Sequence, residues 1–276
     1  TWEKITYINA PTDRIEASSI AKIIKNKYTD WWTYWENLIL YRTNGQSRGL
    51  EEALLMEAIP YKVVWGLKFY DRKEIKDLLA YLKIILNPND VVGLKRIINT
   101  PPRKIWPTTL EKLDQYSADF WISYADIMEN IEEVDELNNW AKTSISTFYQ
   151  IIEDLKSQAK IYSVFDMIDY IIEKIQYKAY LEKESDTKEE YEAKLDNINE
   201  LKNVASNYNW IEPSEALTLF LEEISLMTDL ENKDNNALDF VTLMTIHTSK
   251  WLEYSRVFIT WLEDGLFPSS RSMTDL

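Results

Sequence analysis

Residues 239–272 read DFVTLMTIHTSKWLEYSRVFITWLEDGLFPSSRS, and this stretch decides the fold. The apolar, largely β-branched run at residues 241–246 predicts a buried strand. A polar loop with the only histidine of the chain, His247, follows it, and residues 256–260 predict a second strand. Polar side chains directly after a buried strand are typical of a binding site at the carboxyl end of a sheet in an α/β protein.

The residues before that stretch follow two different patterns. Near the start of the chain, predicted strands alternate with predicted helices, and such alternation implies a parallel sheet with helices packed on it. The strands are predicted at residues 4–8, 38–41 and 61–64, and the helices after Thr12 and at residues 47–58.

From residue 73 to about residue 223 the apolar spacing is helical throughout. Because the strands on both sides of this block need a common sheet, we predict one α/β domain interrupted by an all-helical insertion. The polar composition of residues 182–203 further predicts a mobile helical excursion inside that insertion.

Composition limits the classes of function. The 276 residues include 45% hydrophobic residues, enough for a packed core, no cysteine and one histidine, so disulfides and metal sites built from cysteine or several histidines are excluded. No run approaches about 18 consecutive apolar residues, so no membrane span is predicted and a cytoplasmic location fits best. The net charge of −15 argues against nucleic-acid binding over the whole surface but leaves room for a local groove.

Two segments resemble a known family. Written as V-T-L-M-T-I-H-T-S-K-x-L-E-Y, the quoted stretch closely resembles motif V of the UvrD/Rep/PcrA-like superfamily 1 DNA helicases, and the match continues into E-D-G-L-F-P-S-S-R-S. Residues 65–77, WGLKFYDRKEIKD, resemble the segment that leads into the helical domain of these helicases. The resemblance implies an α/β fold in which an incomplete RecA-like parallel sheet, domain 2A, is interrupted by an all-α inserted domain, 2B. Domain 2A would comprise residues 1–65 and 239–276, ending before motif VI, and domain 2B residues 66–238.

The first candidate site is the segment LYRTNGQSR at residues 40–48, where a strand runs into a helix. Polar side chains and helix N-terminal amides at such a point can hold phosphate oxygens. The resemblance implies that Arg42 and Asn44 contact the backbone of single-stranded DNA. Taken without the resemblance, the same residues also fit an ordinary strand-to-helix turn with Ser47 as the helix cap.

The second candidate site surrounds His247. A lone histidine without a cysteine or serine-triad partner gives no support for nucleophilic catalysis, and it is more often a hydrogen-bonded structural residue. The resemblance implies that Thr245, His247 and Lys250 contact single-stranded DNA and that Glu253 accepts a hydrogen bond from the nucleotide ribose.

A third segment, NTPPRKIWPTTL at residues 99–110, resembles the T-P-x-R-x-I-G-x-x-T-L loop of domain 2B. Consecutive amides in a tight turn between helices can bind phosphate without reading bases. The resemblance implies duplex DNA binding by Arg103, Lys104, Thr108 and Thr109. The alternative is a proline-capped linker between two helices.

The resemblance implies one portion of an ATP-dependent 3′–5′ DNA helicase that uses ATP and Mg²⁺, acts on single-stranded and forked DNA, and serves DNA repair or replication restart. The chain has no G-x-x-x-x-G-K-[ST] loop, so we expect an internal fragment without catalytic residues, inactive alone and partnered by a first RecA-like domain upstream. The alternatives are the helicase part of a RecB/AddA-type helicase-nuclease and a non-catalytic DNA-binding or docking protein on the same scaffold.

Several tryptophans stand at positions where the family pattern has glycine. The chain has 5 glycines and 11 tryptophans, and Trp65, Trp106, Trp251 and Trp261 stand where the family pattern has glycine. Glycine positions often require a positive φ or a close backbone approach, which an indole tolerates poorly. One hypothesis is that the source reads UGA codons as glycine. Ordinary aromatic core residues are the alternative.

Overall fold

The computed structural model describes residues 4–28, 33–64, 66–234, 238–246, 249 and 253–263. The chain forms two compact units. Unit 1 combines the two ends of the chain, Thr1–Arg72 and Ser225–Leu276, and unit 2 is Lys73–Ile224.

Unit 1 contains a parallel sheet. Its strands are β1 (Asn37–Tyr41), β2 (Tyr61–Val63), β3 (Val241–Thr245) and β4 (Arg256–Ile259), in the order β2-β3-β1-β4. Each of the three strand pairs is parallel. Helices α1 (Asp13–Lys27) and α2 (Ser47–Met56) belong to the same unit. The predicted α/β fold class with a parallel sheet is confirmed.

The central strands are buried because they are apolar along their whole length. Every residue of β1 is buried, as is typical of parallel strands covered on both faces. The core between sheet and helices includes Ile39 and Leu243, both fully buried, with Ile24 from α1 and Leu54 from α2. The hydroxyl of Thr12 accepts a hydrogen bond from the N–H of Ile15 at 3.3 Å, so Thr12 is the predicted N-cap of α1.

The strand predicted at residues 4–8 is wrong. These residues have no regular structure, and the side chains of Ile5 and Tyr7 are 100% and 78% exposed. An alternating apolar pattern gives a segment the capacity to form a strand, but a strand also needs a neighbour to complete its hydrogen bonds.

Unit 2 is helical, and its described residues include no strand. Its core includes the buried side chains of Leu78, Tyr81, Ile97 and Phe148. The helices are α3 (Lys73–Leu86), α4 (Val91–Ile97), α5 (Pro107–Phe120), α6 (Tyr124–Glu129), α7 (Asn139–Gln158), α8 (Val164–Lys174), α9 (Tyr177–Lys183) and α10 (Lys188–Ser206); α11 spans Pro213–Asp234. In the described part of the chain, no helix combines the length and apolar character needed to cross a membrane.

The excursion predicted at residues 182–203 is helical, as expected, but its main helix packs into unit 2. Helix α10 buries Ile198 and Leu201 in the core of unit 2. The side-chain amide of Asn197 also donates to the buried carboxylate of Glu74 at 2.5 Å. The polar residues of this segment lie on the outer face of a helix whose apolar stripe is narrow, so composition alone hides its packing.

We expect Ile39→Ala to lower the free energy of unfolding by about 2 to 5 kcal/mol, because Ile39 is fully buried at the centre of the sheet and the truncation leaves a cavity. Val257→Ala on the edge strand β4 is the control. The Val257 side chain is 48% exposed, so that change is expected to cost much less. Urea unfolding of both variants measures the difference, and equal losses would contradict the assignment of Ile39 to the core.

Candidate nucleic-acid interface

The two segments that resemble the single-stranded DNA contacts leave the sheet side by side. Strands β1 and β3 are parallel neighbours, and Tyr41 pairs with Thr245. The N–H of Ile246 donates to the carbonyl oxygen of Tyr41 at 2.9 Å, which extends the pairing to the ends of both strands. The chain therefore continues to Arg42 from one strand and towards His247 from the other at the same edge of the sheet.

The turn after β1 is held by its own side chains. The Gln46 side-chain oxygen accepts hydrogen bonds from the N–H groups of Arg42, at 3.0 Å, and Thr43, at 2.9 Å. Thr43 and Gln46 form a capping box around a short 3₁₀ turn, Asn44–Gln46. Asn44 is exposed at this turn while Arg42 is partly buried. The backbone is thus fixed, and the Asn44 amide is accessible to a ligand.

Ser47 does not cap the helix that follows. It is the first residue of α2, where the preceding Gln46 makes no side-chain cap hydrogen bond. The Ser47 hydroxyl instead contacts the buried carboxylate of Glu51 at 2.5 Å. Sequence reasoning missed Glu51 because a glutamate one turn into a helix normally faces solvent.

The second candidate site is described only in part. Thr245 is the last residue of β3 and is partly buried, and Glu253 is exposed shortly before β4. The Ser249 hydroxyl donates to the carbonyl oxygen of Ile246 at 2.9 Å, within the connection between these strands. His247 and Lys250 lie outside the described residues, as do Trp65 and Trp251.

The loop before α5 in unit 2 is held by hydrogen bonds from its own side chains. The Asn99 side-chain oxygen accepts hydrogen bonds from the N–H groups of Arg103, at 2.6 Å, and Ile105, at 3.3 Å. The Arg103 guanidinium turns inwards, where Nη1 donates to the carbonyl oxygen of Ile97 at 2.9 Å and Nη2 donates to the hydroxyl oxygen of Tyr81 at 2.7 Å. Arg103 thus holds the loop together.

The other residues predicted for this loop differ in exposure. Lys104 and Thr108 are exposed, and Thr109 is buried. Burial raises the pKa of Tyr81 to about 12, so its hydroxyl stays neutral beside Arg103. Sequence reasoning missed Tyr81, although a tyrosine on the apolar face of a helix usually needs a partner for its hydroxyl.

Metal ligands are not assembled anywhere in the described part of the chain, where no group of three or more histidine, cysteine, aspartate or glutamate residues is placed to hold an ion. The arrangement at the carboxyl edge of β1 and β3 offers exposed polar groups on a rigid backbone. Such groups can hold a phosphate backbone in place.

Comparison with known proteins identifies the family. The chain matches the UvrD-like helicase C-terminal domain over residues 2–275. It is 38% identical over 273 residues to proteins named ATP-dependent DNA helicase PcrA from Staphylococcus epidermidis (strain RP62A) and Staphylococcus aureus (strain Mu50). Each match covers 98% of this chain and 37% of the relative, so the chain spans little more than a third of their length. The resemblance predicted from the motifs is confirmed, and the chain belongs to the family of UvrD-like helicase C-terminal domains.

Proposed function

We propose that the complete protein, of which this chain forms a part, is an ATP-dependent DNA helicase that moves 3′–5′ on single-stranded DNA and unwinds forked DNA in repair or replication restart. The observation that carries the proposal is the pairing of Tyr41 with Thr245, because it brings two separate helicase-like motifs to one sheet edge. The relatives named ATP-dependent DNA helicase support the same activity. The cytoplasmic location remains a prediction from the sequence.

Single-stranded DNA would lie across the carboxyl edge of β1 and β3. In this proposal Arg42, Asn44, Thr245, His247 and Lys250 contact its backbone. A chain with a net charge of −15 offers few phosphate contacts, so a short local track fits the charge better than an extended basic surface. Because the backbone at this edge is part of a sheet, movement of the whole sheet would carry all the contacts together.

The nucleotide would be shared with the rest of the protein. Glu253 is proposed to accept a hydrogen bond from the ribose of ATP, consistent with its exposure. Residues 1–276 contain no G-x-x-x-x-G-K-[ST] loop, so we propose that a first RecA-like domain elsewhere in the protein holds the triphosphate and Mg²⁺. Closure of the two domains on ATP would then shift the DNA contacts by a step.

The helical unit would hold duplex DNA. We propose residues 1–65 and 239–276 as domain 2A and residues 66–238 as domain 2B. In the loop before α5, Lys104 and Thr108 are exposed and would contact duplex phosphates. Arg103 and Thr109 would contribute by fixing the loop, because Arg103 donates its hydrogen bonds to loop carbonyl oxygens and to Tyr81.

The decisive test is ATP hydrolysis by the complete protein with and without single-stranded oligo(dT). We expect oligo(dT) to stimulate the wild type. We expect His247→Ala to weaken this stimulation roughly 10-fold, the usual size for loss of one well-placed polar contact, without changing basal hydrolysis. Lys25→Ala, which removes a surface pair with Glu57, is the control and should behave like the wild type.

Two outcomes would count against the proposal. If DNA does not stimulate ATP hydrolysis by the complete wild-type protein, the proposed helicase function is wrong. Normal stimulation of His247→Ala would reject the contact assigned to His247 and leave the helicase function standing.

A further inference from the structure

A buried polar cluster lies directly behind the turn that follows β1. Glu51 on α2 has 1% of its surface exposed, and its carboxylate is within hydrogen-bond distance of three donors. The Ser47 hydroxyl lies 2.5 Å from Oε1, while the Tyr61 hydroxyl and the backbone N–H of Phe69 each lie 3.2 Å from Oε2. The guanidinium of Arg72 is 4.0 Å from Oε1.

Each donor comes from a different part of unit 1. Ser47 begins α2, Tyr61 begins β2, and Phe69 lies with Arg72 at the end of the first part of unit 1. Burial raises the pKa of Glu51, while the hydrogen bond from Ser47 and the charge of Arg72 lower it. A buried carboxylate with this many donors fixes the relative positions of the segments that supply them.

Ser47 connects this cluster to the predicted DNA contact. Its hydroxyl oxygen accepts a hydrogen bond from Nη2 of Arg72 at 2.7 Å and lies 3.0 Å from the carbonyl oxygen of Asn44. The backbone N–H of Ser47 donates to the same carbonyl oxygen of Asn44. The backbone that presents Asn44 is therefore tied to Ser47, whose hydroxyl is held by Glu51 and Arg72. A second hydrogen bond connects the same two segments, because the Tyr70 hydroxyl donates to the Glu52 carboxylate on α2 at 3.1 Å.

We propose that Ser47, Glu51 and Arg72 are positioning residues for single-stranded DNA, which set the turn carrying Arg42 and Asn44 at the edge of the sheet. The inference rests on the proposed function. It adds that the affinity for DNA depends on three residues that do not touch DNA themselves. None of the three sits where the ligand would lie, since Ser47, Glu51 and Arg72 are all buried.

The test compares two buried hydroxyls in the complete protein. Ser47→Ala removes the hydroxyl between Asn44 and Glu51. Thr260→Val removes a fully buried hydroxyl, directly after β4, that donates to the carbonyl oxygen of Leu40 at 3.0 Å. The backbone N–H of Thr260 donates to the same oxygen at 3.1 Å, so the pairing with β1 remains in this variant. Fluorescence anisotropy with labelled oligo(dT) gives Kd, thermal unfolding gives Tm, and saturating oligo(dT) gives the kcat of ATP hydrolysis.

We expect Ser47→Ala to raise Kd about 10-fold, with kcat at saturating DNA within about 2-fold of the wild type. Thr260→Val should lower Tm about as much as Ser47→Ala does, but without changing Kd. Unchanged Kd in Ser47→Ala would overturn the inference while leaving the proposed function intact, and a wild type that does not bind oligo(dT) would overturn the proposed function first. If Ser47→Ala does not fold, Arg72→Lys is tested instead. This change keeps the positive charge but removes the hydrogen bond to Ser47, and the same outcomes are expected.

A second, independent observation concerns the tryptophans. Tryptophan side chains are usually well buried in proteins. The indole N–H of a buried tryptophan usually donates a hydrogen bond. Of the six tryptophans that the structure describes, five are at least 46% exposed: Trp35, Trp106, Trp121, Trp140 and Trp210. The sixth, Trp261, is 4% exposed, and its indole N–H has no hydrogen-bond partner.

Two of these tryptophans also have left-handed backbone conformations. Trp121 has φ 57° and ψ 36° directly after α5, and the N–H of Ile122 donates to the carbonyl oxygen of Ser117 at 3.3 Å. This is the Schellman ending of a helix, whose left-handed position glycine normally occupies. Trp261 has φ 54°. Trp106 has φ −82°, so its backbone gives no such reason for glycine.

Among the described non-glycine residues with positive φ, two of five are tryptophan, although tryptophan makes up only 11 of 276 residues. We infer that the cell inserts glycine at positions 121 and 261 by reading UGA as glycine. Glycine would adopt both conformations without strain and would remove the unpaired buried indole N–H. The low glycine count of 5 agrees with this reading.

The test is mass spectrometry of tryptic peptides 113–142 and 257–271 from the protein of its native source. We expect the masses for glycine at 121 and 261, encoded by UGA; masses for tryptophan at both positions would overturn the inference. In recombinant protein, Trp121→Gly should raise Tm, because it relieves a left-handed tryptophan. Trp140→Gly, in the first turn of α7, should lower Tm, because glycine is less favourable than tryptophan in helical backbone.

Discussion

Arg42→Ala in the complete protein is expected to weaken binding of single-stranded DNA roughly 10- to 100-fold, which corresponds to loss of about 1.5 to 3 kcal/mol from one charge-assisted hydrogen bond. Arg42 follows Tyr41, whose partner Thr245 ends the neighbouring strand. Its N–H is fixed by Gln46 at 3.0 Å, so the side chain leaves a rigid point of the turn. Titration of labelled oligo(dT) measures the loss.

The salt dependence of binding separates a phosphate contact from a general loss of structure. Loss of one phosphate contact should reduce the slope of log Kd against log salt by about one. Arg14→Ala on α1 is the control, because Arg14 is also an arginine of unit 1 and is exposed. We expect Arg14→Ala to leave both affinity and slope near those of the wild type. An Arg42→Ala variant with wild-type affinity and slope would show that Arg42 does not contact the DNA backbone.

Arg96→Ala is expected to destabilise unit 2 by about 3 kcal/mol, because it leaves a buried carboxylate without its cation. Asp77 is 2% exposed, and its Oδ1 accepts a hydrogen bond from Nε of Arg96 at 2.7 Å. Its Oδ2 accepts a hydrogen bond from the buried Tyr177 hydroxyl at 2.8 Å. Lys188→Ala, which breaks a surface pair with Glu192, is the control and should cost less than about 0.5 kcal/mol.

The destabilisation by Arg96→Ala should depend on pH. Burial raises the pKa of Asp77 above the ordinary value of 3.8, while Tyr177 and Arg96 lower it. A raised folded-state pKa means that the contribution of Asp77 to stability is largest below 3.8 and falls as pH rises through the folded-state value. Removing Arg96 raises this pKa further, so the variant should lose most stability near neutral pH and least in acid.

Urea unfolding at several pH values measures this trend. The same substitution in an Asp77→Asn background should cost clearly less, since the carboxylate is already absent. A loss that is constant with pH and independent of residue 77 would mean that Arg96 stabilises unit 2 through its packing alone.

The sequence predicts the strands of the sheet better than their arrangement. Apolar runs placed β1, β2, β3 and β4 within a residue or two of their observed bounds. The same kind of pattern at residues 4–8 predicted a strand that does not form. Periodicity is a local property, so it gives neither the strand order β2-β3-β1-β4 nor the register that pairs Tyr41 with Thr245.

The candidate sites could likewise be predicted only in part. Motif spacing predicts which residues carry polar groups, but it does not give the direction of a side chain. Arg103 was predicted as a source of positive charge for duplex DNA, yet its guanidinium donates to loop carbonyl oxygens and to Tyr81. The Glu51 cluster could not be predicted, because its donors come from segments up to 25 residues apart, such as Ser47 and Arg72.

The central claim is that single-stranded DNA lies at the carboxyl edge of β1 and β3. Photocrosslinking of the complete protein to an oligonucleotide with a photoreactive thymine analogue, followed by peptide mapping, tests it most directly. We predict crosslinks in both residues 42–48 and residues 245–250, and their loss under competition by unlabelled oligo(dT). Crosslinks confined to other segments, with none at either strand end, would contradict it.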